Sequence, residues 1–177
     1  MQNEAQAVKQ EKVDQDCPMK ATPQKEHEWL HQMVGDWTCE GEAMMSPDQP
    51  PVKWKATETV RSIGGMWVIG EGTGEMPAGG ASQTVITLGY DTKSGRYVGS
   101  FVASMMGHMW VYQGQLDEGK TVLTLDTEGP GMTPDAPNAK YRDIVEIKSP
   151  DHRTLTSVVE GPDGQWIQIM SAVYRRR

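Results

Sequence analysis

From Trp37 onward, apolar and polar residues alternate in short runs, and each run stops at Gly, Pro, Asp or Ser. A period of two marks a strand with one face buried. Ten runs are predicted as strands: 37–45, 53–62, 66–74, 82–90, 96–104, 108–116, 120–127, 139–148, 153–160 and 165–175. Thr84, Ile86, Leu88 and Tyr90 share one face of the fourth, and Thr121, Leu123 and Leu125 one face of the seventh. The tenth is apolar on both sides. Trp166, Met170, Ala172 and Tyr174 oppose Ile167, Ile169 and Val173, which predicts a cover on its outer face. Turn chemistry supports the breaks: Ser46-Pro47-Asp48 and Pro50-Pro51, Gly64-Gly65, Pro77 to Gly80, Asp91 to Gly95, Asp117-Glu118-Gly119 and Pro162-Asp163-Gly164. Gly129 to Asn138 is a longer, Pro-rich loop expected at a rim.

Helical spacing occurs once, before the strands. Thr22 is the expected N-cap and Pro23 the first helical residue. Glu26 and Glu28 lie near the positive end of the helix dipole. Trp29, Leu30, Met33 and Val34 form an apolar stripe, and Gly35 ends it. The stripe needs an apolar partner, either the end of the strand assembly or the outside of the last strand. Residues 1–22 have no sustained apolar face, so a flexible N-terminal tail is expected there, with 23–177 as one domain.

Consecutive antiparallel strands must hide two edges, and closure into a cylinder hides both. The expected fold class is therefore all-β: an antiparallel up-and-down barrel of about ten strands, with one short N-terminal helix closing an end. A two-sheet sandwich is the alternative.

Composition narrows the function. The net charge of −7 excludes a basic phosphate-binding surface, so nucleic acid is not an expected partner. No apolar run reaches the length of a membrane-spanning helix. Residues 1–22 lack the apolar core of a signal peptide; the compartment is the cytoplasm or, had a signal been removed, the periplasm or exterior. Cys17 and Cys39 have no metal-site spacing; a disulfide between them is one option and two free thiols the plainer one. One Phe against six Trp and five Tyr means that most buried rings carry a donor that wants a partner. Twelve Met would make any cavity adaptable.

Several motifs, in order, resemble one family. Pro23-x-x-Glu26-His27-x-x-Leu30 and Gly35-x-Trp37 are followed by Gly64-Gly65, Gly89-Tyr90-Asp91, Gly114-x-Leu116-Asp117, Lys140-Tyr141-Arg142, Pro162-Asp163-Gly164 and Tyr174-Arg175. The set is similar to the bacterial domain-of-unknown-function family numbered 1579, over about residues 23–176. The resemblance implies a calycin fold, the superfamily of lipocalins and fatty-acid-binding proteins. It implies no activity and no catalytic residues. Similarity to lipocalins further implies that Trp37 stacks on Arg175 or Arg176 and closes one end. One departure stands out: Phe101-Val102-Ala103-Ser104 replaces a Trp-x-Asp-Ser pattern, so any role of that acid is lost.

The candidate ligand-lining residues, by strand parity, are Tyr97, Phe101, His108, Trp110, Tyr112, Trp166, Met170 and Tyr174. A single bulge would invert such parity. His108, beside Met105, Met106 and Met109, is a candidate haem ligand or part of a soft Cu(I) site; the plainer reading is a strand-end histidine among flexible filler. His27 and His31 in H-E-W-L-H match a zinc-hydrolase signature in letters, on a helix too short and too apolar on its inner face to suit it. Glu58 and Glu71 fall in strands and either would be a candidate if buried. Asp91 reads as a turn former. The glycines at 70, 72 and 74 lie in a strand, where they permit bending and form no phosphate loop.

The leading expectation is a barrel without catalytic activity that binds a small apolar or amphipathic molecule and needs no cofactor. Behind it stand a haem or soft-metal binder using His108, and an enzyme of unknown reaction in the same cavity. A homodimer is left open.

Overall fold

The computed structural model describes residues 21–44, 46, 48–75, 79–133 and 135–177. The tail expected over 1–22 lies outside them except for its last two residues, as do Cys17 and Pro77.

Ten antiparallel strands follow one helix: β1 (Gly35–Ala43), β2 (Val52–Ile63), β3 (Trp67–Glu75), β4 (Ala81–Asp91), β5 (Arg96–Ala103), β6 (Trp110–Leu116), β7 (Val122–Gly129), β8 (Ala139–Ser149), β9 (His152–Glu160) and β10 (Trp166–Arg176). Each strand pairs with its neighbours in sequence, and β1 pairs with both β2 and β10, so the sheet closes on itself. The expected barrel is correct and the sandwich is not.

The helix, α1 (Lys25–Leu30), tightens into a single 3-10 turn, His31–Met33. It begins two residues later than Thr22-Pro23 predicts. Gln24 is the N-cap, and its backbone N–H donates to Nδ1 of His27 at 2.9 Å. The histidine side chain thus reaches back to the cap, the role a Glu or Gln usually takes at that position.

α1 closes one end of the barrel. Leu30 and Met33 are fully buried. The Trp29 indole N–H donates to the Lys120 carbonyl (2.8 Å), and the Tyr97 hydroxyl donates to the Glu26 carbonyl (3.0 Å). Burying Trp29, Leu30 and Met33 contributes about 1.5–3 kcal/mol each. The helix packs on β3 and β4 and leaves the outer face of β10 bare, where Val173 is exposed. Among the described residues, no helix covers the last strand's outer face.

Arg176 ties this end together. Its guanidinium donates to the carbonyls of Val34 (2.6 Å) and Gln32 (3.2 Å) and, across the β8–β9 turn, to that of Pro150 (2.9 Å). It also lies 4.3 Å over the Trp37 ring. The stacking partner implied for Trp37 is therefore Arg176; Arg175 points outward and is exposed. Gly35 makes room: its φ of +135° disfavours side chains, and a Cβ there would strike the Arg176 guanidinium.

The far end is different. Along β2, Lys53, Lys55, Thr57 and Thr59 are exposed on the outside, while the inward Val52, Trp54, Ala56 and Glu58 are half-buried and Val60 alone is sealed. Ile86, Phe101, Leu155 and Met170 face inward and are also half-buried. The inner wall is thus sealed beside α1; toward the opposite mouth β2, β5 and β10 present half-buried side chains, while Ala103, Thr127, Tyr141 and Val159 stay buried. At inward Gly72, Gly99 and Gly114 neighbouring strands approach so closely that a Cβ would strike them.

Candidate functional site

A polar cluster sits on the inner wall between the sealed end and the open mouth. Its first half joins β2 to β9. Arg153, 2% exposed, pairs with the Glu58 carboxylate. The guanidinium carbon lies 3.9 Å over the Tyr174 ring and 4.8 Å from that of Trp37. Register explains the assembly: Trp37 is opposite Glu58 in β2, and Tyr174 is opposite both Cys39 in β1 and Arg153 in β9. All therefore project to one side of the sheet. Burial, reinforced by the Glu58 charge, pushes the Tyr174 hydroxyl above its ordinary range, with Arg153 pulling the other way.

The second half is Asp143 on β8. The Tyr112 hydroxyl donates to its Oδ2 at 2.5 Å, and the Ser157 hydroxyl donates to its Oδ1. Burial raises the carboxyl above the usual carboxylate range, while the bonds from Ser157 and Tyr112 oppose that shift. Burial also pushes up the Tyr112 hydroxyl, as does the adjacent Asp143 charge. Asp143 as a residue is half-buried, and its inward position directs the carboxylate to the Tyr112 and Ser157 hydroxyls. Among the described residues, none of the ion pairs includes it.

A raised carboxyl has a stability consequence. The folded protein keeps this proton to higher pH than the unfolded chain does. Between the two pKa values the folded state binds more protons, and stability falls as pH rises. Asp143→Asn removes that loss. Its melting temperature relative to the wild type should climb between about pH 4 and pH 7.5. Thermal melts of both proteins at the two pH values check this; a constant or falling difference refutes it.

The lining residues divide by position. Phe101, Trp110 and Met170 face inward and half-buried near the mouth. Tyr112 and Tyr174 face inward at the polar cluster. Tyr97 also points inward, but it is 2% exposed and held against α1, at the closed end. His108 precedes β6 instead of starting it, because the strand begins at Trp110. Its Nε2 lies 3.3 Å from the Glu128 carbonyl at the rim, with the Trp110 ring 4.9 Å away. Trp166 lies on the outer wall, contrary to parity. A bulge between Gln168 and Met170 turns the start of β10 over, and Trp166 stacks under Arg142 at 4.0 Å. There it borders a shallow outer groove with Val111, Gln113, Asp126 and Lys140.

Other candidates resolve simply. Glu58 points inward, whereas Glu71 is on the outside near Arg61. Asp91 builds its turn, its carboxylate accepting from the Lys93 N–H. His27 is buried against Tyr90, while His31 is exposed near Ser62, so H-E-W-L-H does not converge. Met105, Met106 and Met109 are exposed at the rim, and the Trp110 N–H contacts the Met106 sulfur at 3.4 Å. Ala103, where the family pattern carries an acid, faces inward beside the mouth and is buried.

Cys39 is a free buried thiol, pushed up to about 12 by burial and then by the Glu58 charge. Thiolate is the reactive species, so native Cys39 should be inert. In a Cys17→Ser protein, a thiol reagent at pH 8 should modify Cys39 only as the chain unfolds. Full labelling within minutes under native conditions would contradict this burial.

Sequence reasoning missed Asp143 and Arg153. The available signal was parity: Tyr141, Asp143 and Val145 alternate with Arg142, Ile144 and Glu146, and an acid on the inner face of such a strand is out of place.

The architecture is a closed ten-stranded antiparallel barrel with one short helix over an end. The chain belongs to the family described as "Protein of unknown function (DUF1579)", whose model matches residues 22–176. Two solved structures share the fold. Rv2717c from M. tuberculosis superposes with a TM-score of 0.61 at 13% identity, covering 88% of this chain and 99% of that one. The S-type phycobiliprotein lyase CPES from Guillardia theta gives 0.55 at 15% identity, covering 88% and 98%. At these identities the likeness is one of fold. No curated protein matches the sequence. No helix among the described residues is long and apolar enough to cross a membrane.

Proposed function

We propose that this protein is a binding barrel without catalytic activity that takes one small amphipathic molecule through the end opposite α1. The observation that carries this reading is the difference in burial along part of the inner wall: Trp54, Ala56, Phe101, Leu155 and Met170 are half-buried, whereas Val60, Val68, Leu88 and Leu123 nearer α1 are sealed. An apolar wall with a few fixed polar groups at its base is the usual form of a small-molecule site. The ligand's apolar part would lie among Phe101, Trp110 and Met170, and its polar end at Asp143, Tyr112 and Ser157. Trp110 and the rim methionines offer polarisable surface that adapts to different shapes. The lyase among the structural relatives, by its name, acts on phycobiliproteins; its likeness to this chain is one of fold.

The test is a fluorescence titration with a neutral dye that brightens on leaving water, such as N-phenyl-1-naphthylamine. Saturable one-to-one binding is expected. Ala56→Phe, which adds a ring to the inner wall between the mouth and Glu58, should weaken it at least about ten-fold, at a stability cost of about 1–3 kcal/mol. Absence of saturable binding, or unchanged affinity in Ala56→Phe, would reject this reading.

A further inference from the structure

One charged group of the lumen has no counter-ion. Among the described residues at inward-facing strand positions, the charged side chains are Glu58, Asp143, Arg153 and, at the sealed end, Arg176, which is paired with Asp151 and held by the carbonyls of Val34, Gln32 and Pro150. Glu58 and Arg153 neutralise each other in direct contact. Asp143 is left with two hydroxyl donors and no cation. The hydroxyls of Tyr112 and Ser157 each occupy one carboxylate oxygen, and each oxygen has a further lone pair. The groups around it offer no positive charge: Leu125 is opposite on β7, Ser157 on β9, with Tyr112 on β6 and the Tyr174 hydroxyl near enough to feel its charge. A carboxylate in such surroundings is costly unless something positive meets it. Aromatic rings are also abundant on this inner wall, and their faces attract cations.

Resting on the binding reading above, we infer that the lumen selects an amphipathic cation: a protonated amine on an apolar body, its ammonium donating to Asp143 beside Tyr112. An anionic amphiphile fits poorly. Its charge would meet the unpaired Asp143, the Arg153 guanidinium is already engaged by Glu58 and covered on its faces by Tyr174 and Trp37, and Arg176 is committed to Asp151 and backbone carbonyls at the sealed end. The acidic whole chain, at −7, favours approach of the same kind of ligand.

Three probes of one size separate the outcomes: a dansylated alkylamine, its N-acetylated neutral form and the matching dansylated carboxylic acid, each titrated at pH 7.5. The amine is expected to bind about ten-fold tighter than the neutral form, the scale of one charge-assisted hydrogen bond, and the acid weaker than both. Asp143→Asn should bring the amine and the neutral form to within about two-fold of each other. Asp143→Ala is the second variant should the amide fail to fold, and Asp126→Asn on the outer wall is the control that should change nothing. Equal binding of amine and neutral form by the wild type, or a preference that survives both Asp143 variants, overturns the inference but leaves the binding barrel intact. Failure of all three probes to bind overturns both.

Discussion

Arg153→Ala should lower stability by about 3–5 kcal/mol, the cost of stranding one member of a buried ion pair. For a chain of this size that is roughly a 10 °C fall in melting temperature. Glu58 would remain on the inner wall with its cation removed. The guanidinium plane would also be lost from between Tyr174 and Trp37, with the packing it provides. The pair contributes less than this figure on balance, because desolvating both charges costs much of what their attraction returns. Hence a specific expectation for the double variant: adding Glu58→Gln to Arg153→Ala should recover a substantial part of the loss, and the cycle should give a coupling of about 1–3 kcal/mol. A melt within 2 °C of the wild type for Arg153→Ala alone, on the scale of a small surface effect, would mean that water or another group already compensates Glu58.

The second large effect falls on Trp37. Trp37→Ala should cost about 3–5 kcal/mol, in the range of large aromatic truncations in a core. Trp37 is 1% exposed, and its indole N–H donates to the Met33 carbonyl at 2.8 Å. Arg176 covers one approach to the ring and Arg153 another. The residue thus joins the end of the helical segment to the first and last strands. Trp37→Phe retains much of the apolar area and loses the donor, leaving the Met33 carbonyl unpaired, for about 1–3 kcal/mol. Thermal or urea melts rank the two variants. Equal losses would assign the whole effect to the hydrogen bond, and no loss in either would remove Trp37 from the closure of this end.

The fold was legible because a closed antiparallel sheet leaves a plain trace. Each strand has an inner and an outer face, and tight turns put Gly, Asp and Pro between them. Val60, Leu88, Leu123 and Leu125 all lie inside, where alternation requires. Errors came where local geometry breaks the period. The bulge after Gln168 inserts one residue and turns Trp166 outward, although Met170, Ala172 and Tyr174 keep their face. The late start of β6 moves His108 off the strand and onto the rim. The helix start shifted because the His27 side chain, not Thr22, meets the backbone at the cap. The apolar outer face of β10 suggested a cover, yet isolated exposed Val and Ile residues are common on protein surfaces.

The candidate site was less legible. Glu58 and Arg153 are 95 positions apart and meet only because β1 joins β2 to β10, which carries β9 alongside. Strand parity gives a residue's face but not its partner across a lumen. Asp143 lies in a strand crowded with charges, Lys140, Arg142, Glu146 and Lys148, which face outward or lie toward the ends. Its distinction is the side of the sheet it takes, and that became evident once the register of β8 against β7 and β9 was known.

The central claim is that the ligand enters the lumen and does not settle on the groove outside. Methyl-labelled protein examined by carbon–proton NMR during titration with the neutral dye tests this most directly. The account predicts that Met170 and Leu155, on the inner wall, shift and saturate together, while Val111 and Val102, exposed on the outer face, stay in place. Shifts confined to Val111 and its neighbours around Trp166, with Met170 and Leu155 unmoved, would contradict it.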